Sequence, residues 1–241
     1  DDFSLSLRSA GARFKPSSAL RRTERAALRA YDTVEFDAHK IDLRLKVILE
    51  QDPLGGEHVV EMERIWLLAI IDVATRCVLG WHLSLSRECN RFDAIETMKR
   101  ALLPMHRPEL TLPGLQLLSA GGFVTQTFEQ TTYACWRQIR LDNARAHLAT
   151  TSLDVVCQTL GCTADFGPAY QPDDRPFVER FFGSMTTTLA RRLPGGIDPA
   201  NLKLAVKRLR DPKDSLHLLV TAQELEELLA MTIWNYHGTP H

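Results

Sequence analysis

The chain has 241 residues, of which 44% are hydrophobic and 24% charged, and its formal net charge is -1 at pH 7. This length and apolar content are sufficient for a full hydrophobic core, in one large domain or one domain with appendages. The near-zero net charge argues against a protein that binds nucleic acid through a surface that is basic all over, but it allows local basic faces. No run of about 18 apolar residues indicates a membrane span, and no signal-peptide pattern opens the chain.

The first thirty residues are basic, with seven Lys or Arg and three acidic side chains. Within them, residues 17–30 predict a short helix with alternating charge, which is either a solvated helix or an arm that contacts phosphate. The chain starts at Asp1 without an initiator methionine, so we expect a fragment of a longer protein. We therefore predict a basic helical lead-in over residues 1–30.

Two strands are predicted over residues 31–49. In YDTVEFDAHKIDL, Val34, Phe36 and Ala38 alternate with Thr33, Glu35, Asp37 and His39, a period of two that predicts one buried and one more polar face. A second apolar run covers residues 43–49, and residues 51–57 predict a loop because they contain Pro53, Gly55 and Gly56. The run IWLLAIID, residues 65–72, predicts a strand buried on both faces. A tight turn then leads to residues 77–85, its antiparallel hairpin partner.

Strands and helices alternate in the remainder of the chain. Asn90 predicts the N-cap of a helix that stops before Pro104, and residues 105–130 predict an irregular insertion. Further elements follow in this order: a short strand over 135–142, a helix that ends at Gly161, a brief strand from Cys162, and a last helix over 221–237. Between them, residues 180–214 are basic, with eight Lys or Arg against three Asp.

The stretch AYQPDDRPFVERFFGSMTTTL, residues 169–189, predicts an amphipathic helix. Pro176 suits its first turn, and Asp173 or Asp174 is expected to be its N-cap. Glu179 lies among the apolar residues of this first turn, where a carboxylate is costly unless a cation meets it. It is paired with Arg180, or lies on a solvated helix edge, or belongs to a site to which other carboxylates contribute.

This order of elements predicts an α/β fold with a mixed five-stranded sheet and helices on both faces, the first three strands of the sheet being antiparallel. The first strand is then central and adjacent to the strand that ends at Asp142. Open α/β sheets bind ligands at the carboxyl ends of their strands. Asp142 is thereby expected at this edge, whereas Asp37 is expected in mid-strand on the face opposite Phe36, and the helix of Glu179 can close over both.

Three carboxylates remain ionised together only when cations lie between them, and Mg²⁺ or Mn²⁺ prefers such oxygen ligands. Two such ions about 4 Å apart activate a nucleophilic oxygen and stabilise the leaving oxygen of a phosphodiester. Asp72 and Asp42 are alternatives to Asp37, although Asp72 is better explained as the start of a turn. His39 and His147 are either further contacts for DNA or a metal, or ordinary surface residues.

Several segments of the sequence resemble the catalytic core of DDE transposases and retroviral integrases, which have an RNase H-like fold. They are FDAHKIDL, WLLAIIDVATRCVLGW, IRLDNARAHL, FGPAYQPDDRPFVERFFGSM and WNYHGTPH. The resemblance runs from about Thr33 to His241, and the 36 residues between Asp142 and Glu179 are close to the integrase-type interval. The motif VERFFG, residues 178–183, is most similar to TnsB-type subunits of bacterial transposases, with Mu transposase as a relative.

The resemblance implies that Asp37, Asp142 and Glu179 are the catalytic metal ligands, holding two Mg²⁺ or Mn²⁺ ions. It implies cleavage of transposon ends to leave a 3′-hydroxyl, which attacks target DNA by direct transesterification with no covalent enzyme intermediate and no nucleotide cofactor. The implied partners are transposon-end and target DNA, further copies of the chain assembled on DNA, and other transposition proteins. A cytoplasmic, nucleoid-associated bacterial protein is expected, in agreement with five cysteines that lack any disulfide or zinc pattern.

The sequence departs from the family at Thr186, where retroviral integrases carry a lysine that contacts DNA. We therefore expect the DNA contacts to come from other residues: Asn143, Arg145, Arg180, Arg191 and Arg192. The predicted catalytic core covers residues 31–195, and residues 196–241 form a basic linker and a helix that packs on this core. Two alternative functions are an RNase H-like nuclease without strand transfer and a catalytically silent subunit that binds DNA or a partner.

Overall fold

A five-stranded mixed sheet lies at the centre of the computed structural model, which describes residues 29–41, 43–51, 57–63, 65–141, 150–166, 175–189, 193 and 219–239. Seven strands lie in these residues: β1 Thr33–Ile41, β2 Leu45–Gln51, β3 Glu57–Met62, β4 Ile65–Asp72, β5 Val78–Ser84, β6 Gln138–Arg140 and β7 Thr163–Asp165. The sheet order is β5-β4-β1-β6-β7. β4 is antiparallel to β1 and β5, whereas β6 runs parallel to β1 and β7. The predicted mixed sheet, with β1 at its centre, is confirmed.

Five α-helices accompany the strands in the described part of the chain: α1 Arg91–Leu102, α2 Val124–Thr127, α3 Thr150–Leu160, α4 Pro176–Thr188 and α5 Ala222–His237. α1 is capped as predicted, since Asn90 Oδ1 accepts from the N–H of Phe92 at 2.8 Å and Asp93 Oδ2 accepts from the N–H of Asn90 at 2.8 Å. No helix in the described ranges is long and apolar enough to span a bilayer. The five cysteines, all of them described, are thiols.

The alternation of β1 divides the interior into two apolar cores. Val34, Phe36 and Ala38 pack in one of them, together with residues of α1 and α3. The opposite core contains side chains of α4 and α5, including Val178, Phe181 and Leu229. Glu35 points away from Val34 and Phe36, toward the face on which α4 packs, and is fully buried there. The sheet therefore presents Glu35 and Asp37 on the α4 side.

β3 was not predicted from the sequence. It pairs antiparallel with β2 in a separate two-stranded sheet, so β2 does not join the central sheet. Charged and apolar residues mix in EHVVEM without a clear period, and Val60 is 45% exposed. A strand of this kind gains its stability from its cross-strand partner, which local sequence does not reveal.

The insertion at 105–130 lies against α5. Glu227 accepts hydrogen bonds from the N–H groups of Thr111 at 2.7 Å and Leu112 at 2.9 Å. Trp234 Nε1 donates to the carbonyl oxygen of Leu118 at 2.9 Å, and Asn235 Oδ1 accepts from the N–H of Leu118 at 2.8 Å. The insertion, apart from α2 and a short 3₁₀ turn at Glu129–Thr131, is irregular as predicted. These backbone polar groups of the insertion are therefore satisfied by side chains of α5.

His237 joins the last turn of α5 to the insertion and to β5. Its Nδ1 lies 2.6 Å from the carbonyl oxygen of Gly122, and its Nε2 accepts from the N–H of Val78 at 2.9 Å. Because an amide N–H can only donate, Nε2 must accept and the proton of the neutral ring is on Nδ1.

We expect His237→Ala to lower the free energy of unfolding by about 2 kcal/mol, since it leaves one backbone donor and one acceptor without partners. Urea unfolding followed by tryptophan fluorescence measures the change. The control is His106→Ala, at an exposed position, for which we expect a change within about 0.5 kcal/mol. Equal effects of the two substitutions would contradict the assigned role of His237.

Candidate active site

Asp37 lies in the middle of β1, opposite Ala69 of β4. Its Oδ1 accepts from the N–H of Ala38 at 2.8 Å and lies 3.2 Å from Nη1 of Arg175. The Asp37 side chain is 16% exposed and the Arg175 side chain 8%. The carboxylate is thus held by neighbouring groups but still reaches solvent, as a group that binds an ion or a substrate must.

Arg175 was not among the site residues predicted from the sequence. It is the N-cap of α4 and makes no side-chain cap hydrogen bond, so the expected N-cap at Asp173 or Asp174 was wrong. Instead its Nη1 lies 3.4 Å from the carbonyl oxygen of Phe36, in addition to its contact with Asp37. A buried arginine needs acceptors, and β1 supplies them. The signal in the sequence was an arginine directly before the Pro176 that starts an apolar helix.

Glu35 was also missed as a site residue. It is fully buried, and its Oε2 accepts hydrogen bonds from the N–H groups of Phe177 and Val178, both at 3.0 Å. Burial raises the pKa of Glu35 to about 7, against the opposing effects of these two N–H groups and of the nearby Arg140 and Arg175. The available signal was its place on the same strand face as Asp37.

Glu179 is exposed and lies in the first turns of α4. It precedes Phe182 by three residues, a spacing that puts two side chains on one side of a helix, and it follows the N-cap Arg175 by four residues. Arg175 contacts Asp37, and the ring of Phe182 stacks on His39 with centroids 5.1 Å apart. The helix that carries Glu179 therefore packs on the part of β1 that carries Asp37.

Asp142 lies outside the described residues, as do Asn143 and Arg145. The preceding residue, Leu141, is buried and donates its N–H to the carbonyl oxygen of Asp165 at 2.8 Å, next to the parallel pair of β6 and β1. Within the described ranges, no group of three or more His, Cys, Asp or Glu side chains could hold a metal ion. The convergence of all three carboxylates therefore stays a prediction.

The alternative acidic residue Asp72 has a structural role. Its Oδ2 accepts from the N–H of Thr75 at 2.8 Å and from the Thr75 hydroxyl at 2.7 Å, and its Oδ1 accepts from the N–H of Tyr31 at 2.8 Å. The prediction that Asp72 begins a turn is confirmed. Asp42 and His147 lie outside the described residues, and His39 stacks on Phe182 as noted above.

The described residues include only one of the five side chains predicted to contact DNA. Arg180 is exposed beside Glu179, whereas Arg191 and Arg192 lie outside the described residues. A Cβ added at Gly183 would have no heavy atom of the described residues within 4 Å, so helix packing does not require this glycine. Arg76, which the sequence analysis did not consider, places its guanidinium 3.2 Å from the ring centroid of Phe177. Cationic groups therefore lie on and beside the first turns of α4.

Comparison with protein families gives a match over most of the chain. The profile of the family described as the TnsB C-terminal domain matches residues 35–195, which include most of β1, all of α4 and the predicted triad. A search of curated proteins gives no significant match.

Solved structures that align with this chain include a chain of the simian T-cell lymphotropic virus intasome in complex with PP2A regulatory subunit B56 gamma. It has 14% sequence identity and a TM-score of 0.44, over 90% of this chain and 58% of that chain. The Mos1 transposase catalytic domain with Raltegravir and Mg has 16% identity and a TM-score of 0.43, over 92% of this chain and 90% of that chain. The catalytic domain of Mos1 mariner transposase has 17% identity and a TM-score of 0.42, over 92% and 89%.

Proposed function

The chain belongs to the TnsB C-terminal domain family, and we propose that it is the catalytic part of a DNA transposase that cleaves transposon ends and joins them to target DNA. Membership confirms the resemblance to TnsB-type transposases on which the sequence prediction rested. The proposed catalytic residues are Asp37, Asp142 and Glu179. The observation that supports this proposal is that α4, the helix of Glu179, packs on β1, the strand of Asp37, through the contacts of Arg175 with Asp37 and of Phe182 with His39.

The residues suit a divalent metal. Asp37 and Glu179 offer only carboxylate oxygens, the ligands that Mg²⁺ and Mn²⁺ prefer, and both side chains reach solvent. We propose that Asp142 completes the set and that two ions are held. Bound there, the ions would promote deprotonation of the attacking hydroxyl and stabilise the charge of the leaving oxygen.

The chain's own residues would hold and orient the reacting DNA. Arg175 keeps the Asp37 carboxylate in place through the contact at 3.2 Å, and the exposed Arg180 is available for a backbone phosphate. In the first reaction, water attacks a phosphodiester at the transposon end, and the released transposon strand carries a 3′-hydroxyl. In the second, this hydroxyl loses its proton and attacks a target phosphodiester, whose 3′-oxygen leaves. One phosphodiester forms for each one broken, so joining needs no nucleotide cofactor.

The proposal includes partners. We propose that the chain acts as a multimer on paired transposon ends, with target DNA and other transposition proteins, in the bacterial cytoplasm at the nucleoid. Within the proposal, the basic segments at residues 1–30 and 180–214 contact phosphates, with Asn143, Arg145, Arg191 and Arg192 among the contacts.

A joining assay tests the proposed function. The 241-residue chain is incubated with Mn²⁺, a supercoiled plasmid as target, and a labelled DNA duplex with a pre-cut 3′-hydroxyl. We expect label to become covalently joined to the plasmid. The matched control is the same duplex with a 2′,3′-dideoxy terminus, which has no attacking hydroxyl and must give no joined product.

The other results of the assay identify the alternative functions. Plasmid nicking without joined label would indicate an RNase H-like nuclease that does not transfer strands. A duplex that is shifted in a gel but neither cut nor joined would indicate a silent DNA-binding subunit. Anomalous scattering from Mn²⁺ soaked into crystals gives an independent readout, and a peak away from Asp37 and Glu179 would contradict the proposed site.

A further inference from the structure

The first turn of α4 is capped by a residue of another element. A helix begins with N–H groups that have no partner within the helix. α1 and α5 satisfy theirs with the adjacent residues Asn90 and Thr221. In α4, Arg175 makes no cap bond, and the N–H groups of Phe177 and Val178 both donate to Glu35 Oε2 at 3.0 Å. The start of α4 is therefore tied to β1 across more than 140 residues of sequence.

The residues that make this tie are close in sequence to the two described members of the proposed triad. Glu35 is two residues from Asp37 on the same face of β1, and Val178 directly precedes Glu179 in α4. In addition, Arg175 contacts Asp37 Oδ1 and the carbonyl oxygen of Phe36. Residues 35–37 of the strand and residues 175–178 at the start of the helix are thus joined by two separate sets of contacts.

Capping a helix with a buried carboxylate costs free energy, because the carboxylate must be removed from water. Glu35 is fully buried, and its Oε1 has no hydrogen-bond partner among the described residues. An apolar side chain at this position would avoid the cost of burying a polar group. It would also leave two N–H groups of α4 without an acceptor and remove the link between helix and strand.

We propose that Glu35 is a positioning residue: its carboxylate holds the first turn of α4 against β1 and so sets the place of Glu179 relative to Asp37. This inference rests on the proposed function, because it assigns Glu35 a role in assembling that same site. Glu35 acts through the helix backbone and not by contact with DNA or with a metal ion.

The test compares Glu35→Ala, Glu35→Gln and Thr221→Ala in the 241-residue chain. Alanine removes the acceptor, whereas glutamine keeps a carbonyl oxygen for the two N–H groups. Thr221→Ala removes the cap of α5, in which Thr221 Oγ1 accepts from the N–H of Glu224 at 3.1 Å, and so controls for the loss of any helix cap. The joining rate at saturating DNA, the Kd for DNA, and hydrogen exchange at the amides of residues 177 and 178 are measured at a temperature where all variants are folded.

We expect Glu35→Ala to lower the joining rate by about tenfold to a hundredfold with little change in Kd, because small displacements of catalytic groups have effects of this size. Exchange at residues 177 and 178 should become faster. Glu35→Gln should restore most of the rate and the protection, and Thr221→Ala should leave the rate unchanged.

Equal loss of rate in Glu35→Ala and Thr221→Ala would show a general stability effect and overturn the inference. Loss in Glu35→Gln as severe as in Glu35→Ala would overturn it as well, since a charge rather than an acceptor would then be required. If the wild-type chain neither cleaves nor joins, the proposed function fails, and exchange at residues 177 and 178 still decides whether Glu35 holds α4.

Discussion

Asp37→Asn is expected to lower the rates of end cleavage and of joining by about a thousandfold or more, which corresponds to about 4 kcal/mol of transition-state stabilisation. An asparagine keeps an oxygen for the N–H of Ala38 and for Arg175, so the local fold should persist. It removes the negative charge that would hold a divalent ion. Asp142→Asn and Glu179→Gln should have effects of the same kind. DNA binding, measured by gel shift, should be largely retained by all three variants.

Asp32→Asn is the matched control for this series. Asp32 directly precedes β1, five residues before Asp37, and pairs with Nε of Arg137 at 2.6 Å. Its substitution should leave cleavage and joining near the wild-type rates. Undiminished joining by Asp37→Asn would remove Asp37 from the active site, and equal losses in Asp32→Asn and Asp37→Asn would indicate a general defect of folding.

Phe181→Ala is expected to lower the free energy of unfolding by about 3–5 kcal/mol, the range for a phenylalanine removed from a packed core. The side chain is fully buried on α4, and its ring lies 5.6 Å from that of Phe182 and 5.5 Å from that of Tyr236 on α5, centroid to centroid. The cavity left by alanine would loosen the contact between these two helices. Thermal unfolding followed by circular dichroism measures the loss as a lower midpoint.

Phe92→Ala supplies the comparison, since Phe92 is 66% exposed on α1 and removing its ring creates no internal cavity. We expect a change within about 0.5 kcal/mol for this variant. A midpoint shift in Phe181→Ala no larger than in Phe92→Ala would contradict the view that α4 is anchored to the body through Phe181.

Most of the central sheet and its helices could be predicted because their signals are local. The alternation of Val34, Phe36 and Ala38 defined β1, Asn90 marked the start of α1, and Gly161, at φ 68°, ended α3. β3 was missed because its stability comes from β2 rather than from its own pattern. The N-cap of α4 was misplaced because two aspartates ahead of Pro176 satisfy the usual preference, whereas the acceptor in the structure is supplied by Glu35.

The sequence by itself determined which reactive groups are present, namely a carboxylate in β1 and another in α4. It also determined the family to which the chain belongs and the strand order that makes β1 central. Residue type and periodicity carry this information, because each side chain's chemistry and each element's period are properties of short segments. Only the tertiary structure decided that Arg175 faces Asp37 and that Glu35 caps α4. Such contacts join segments more than 130 residues apart, and they depend on how a helix packs on a sheet, which no local pattern specifies.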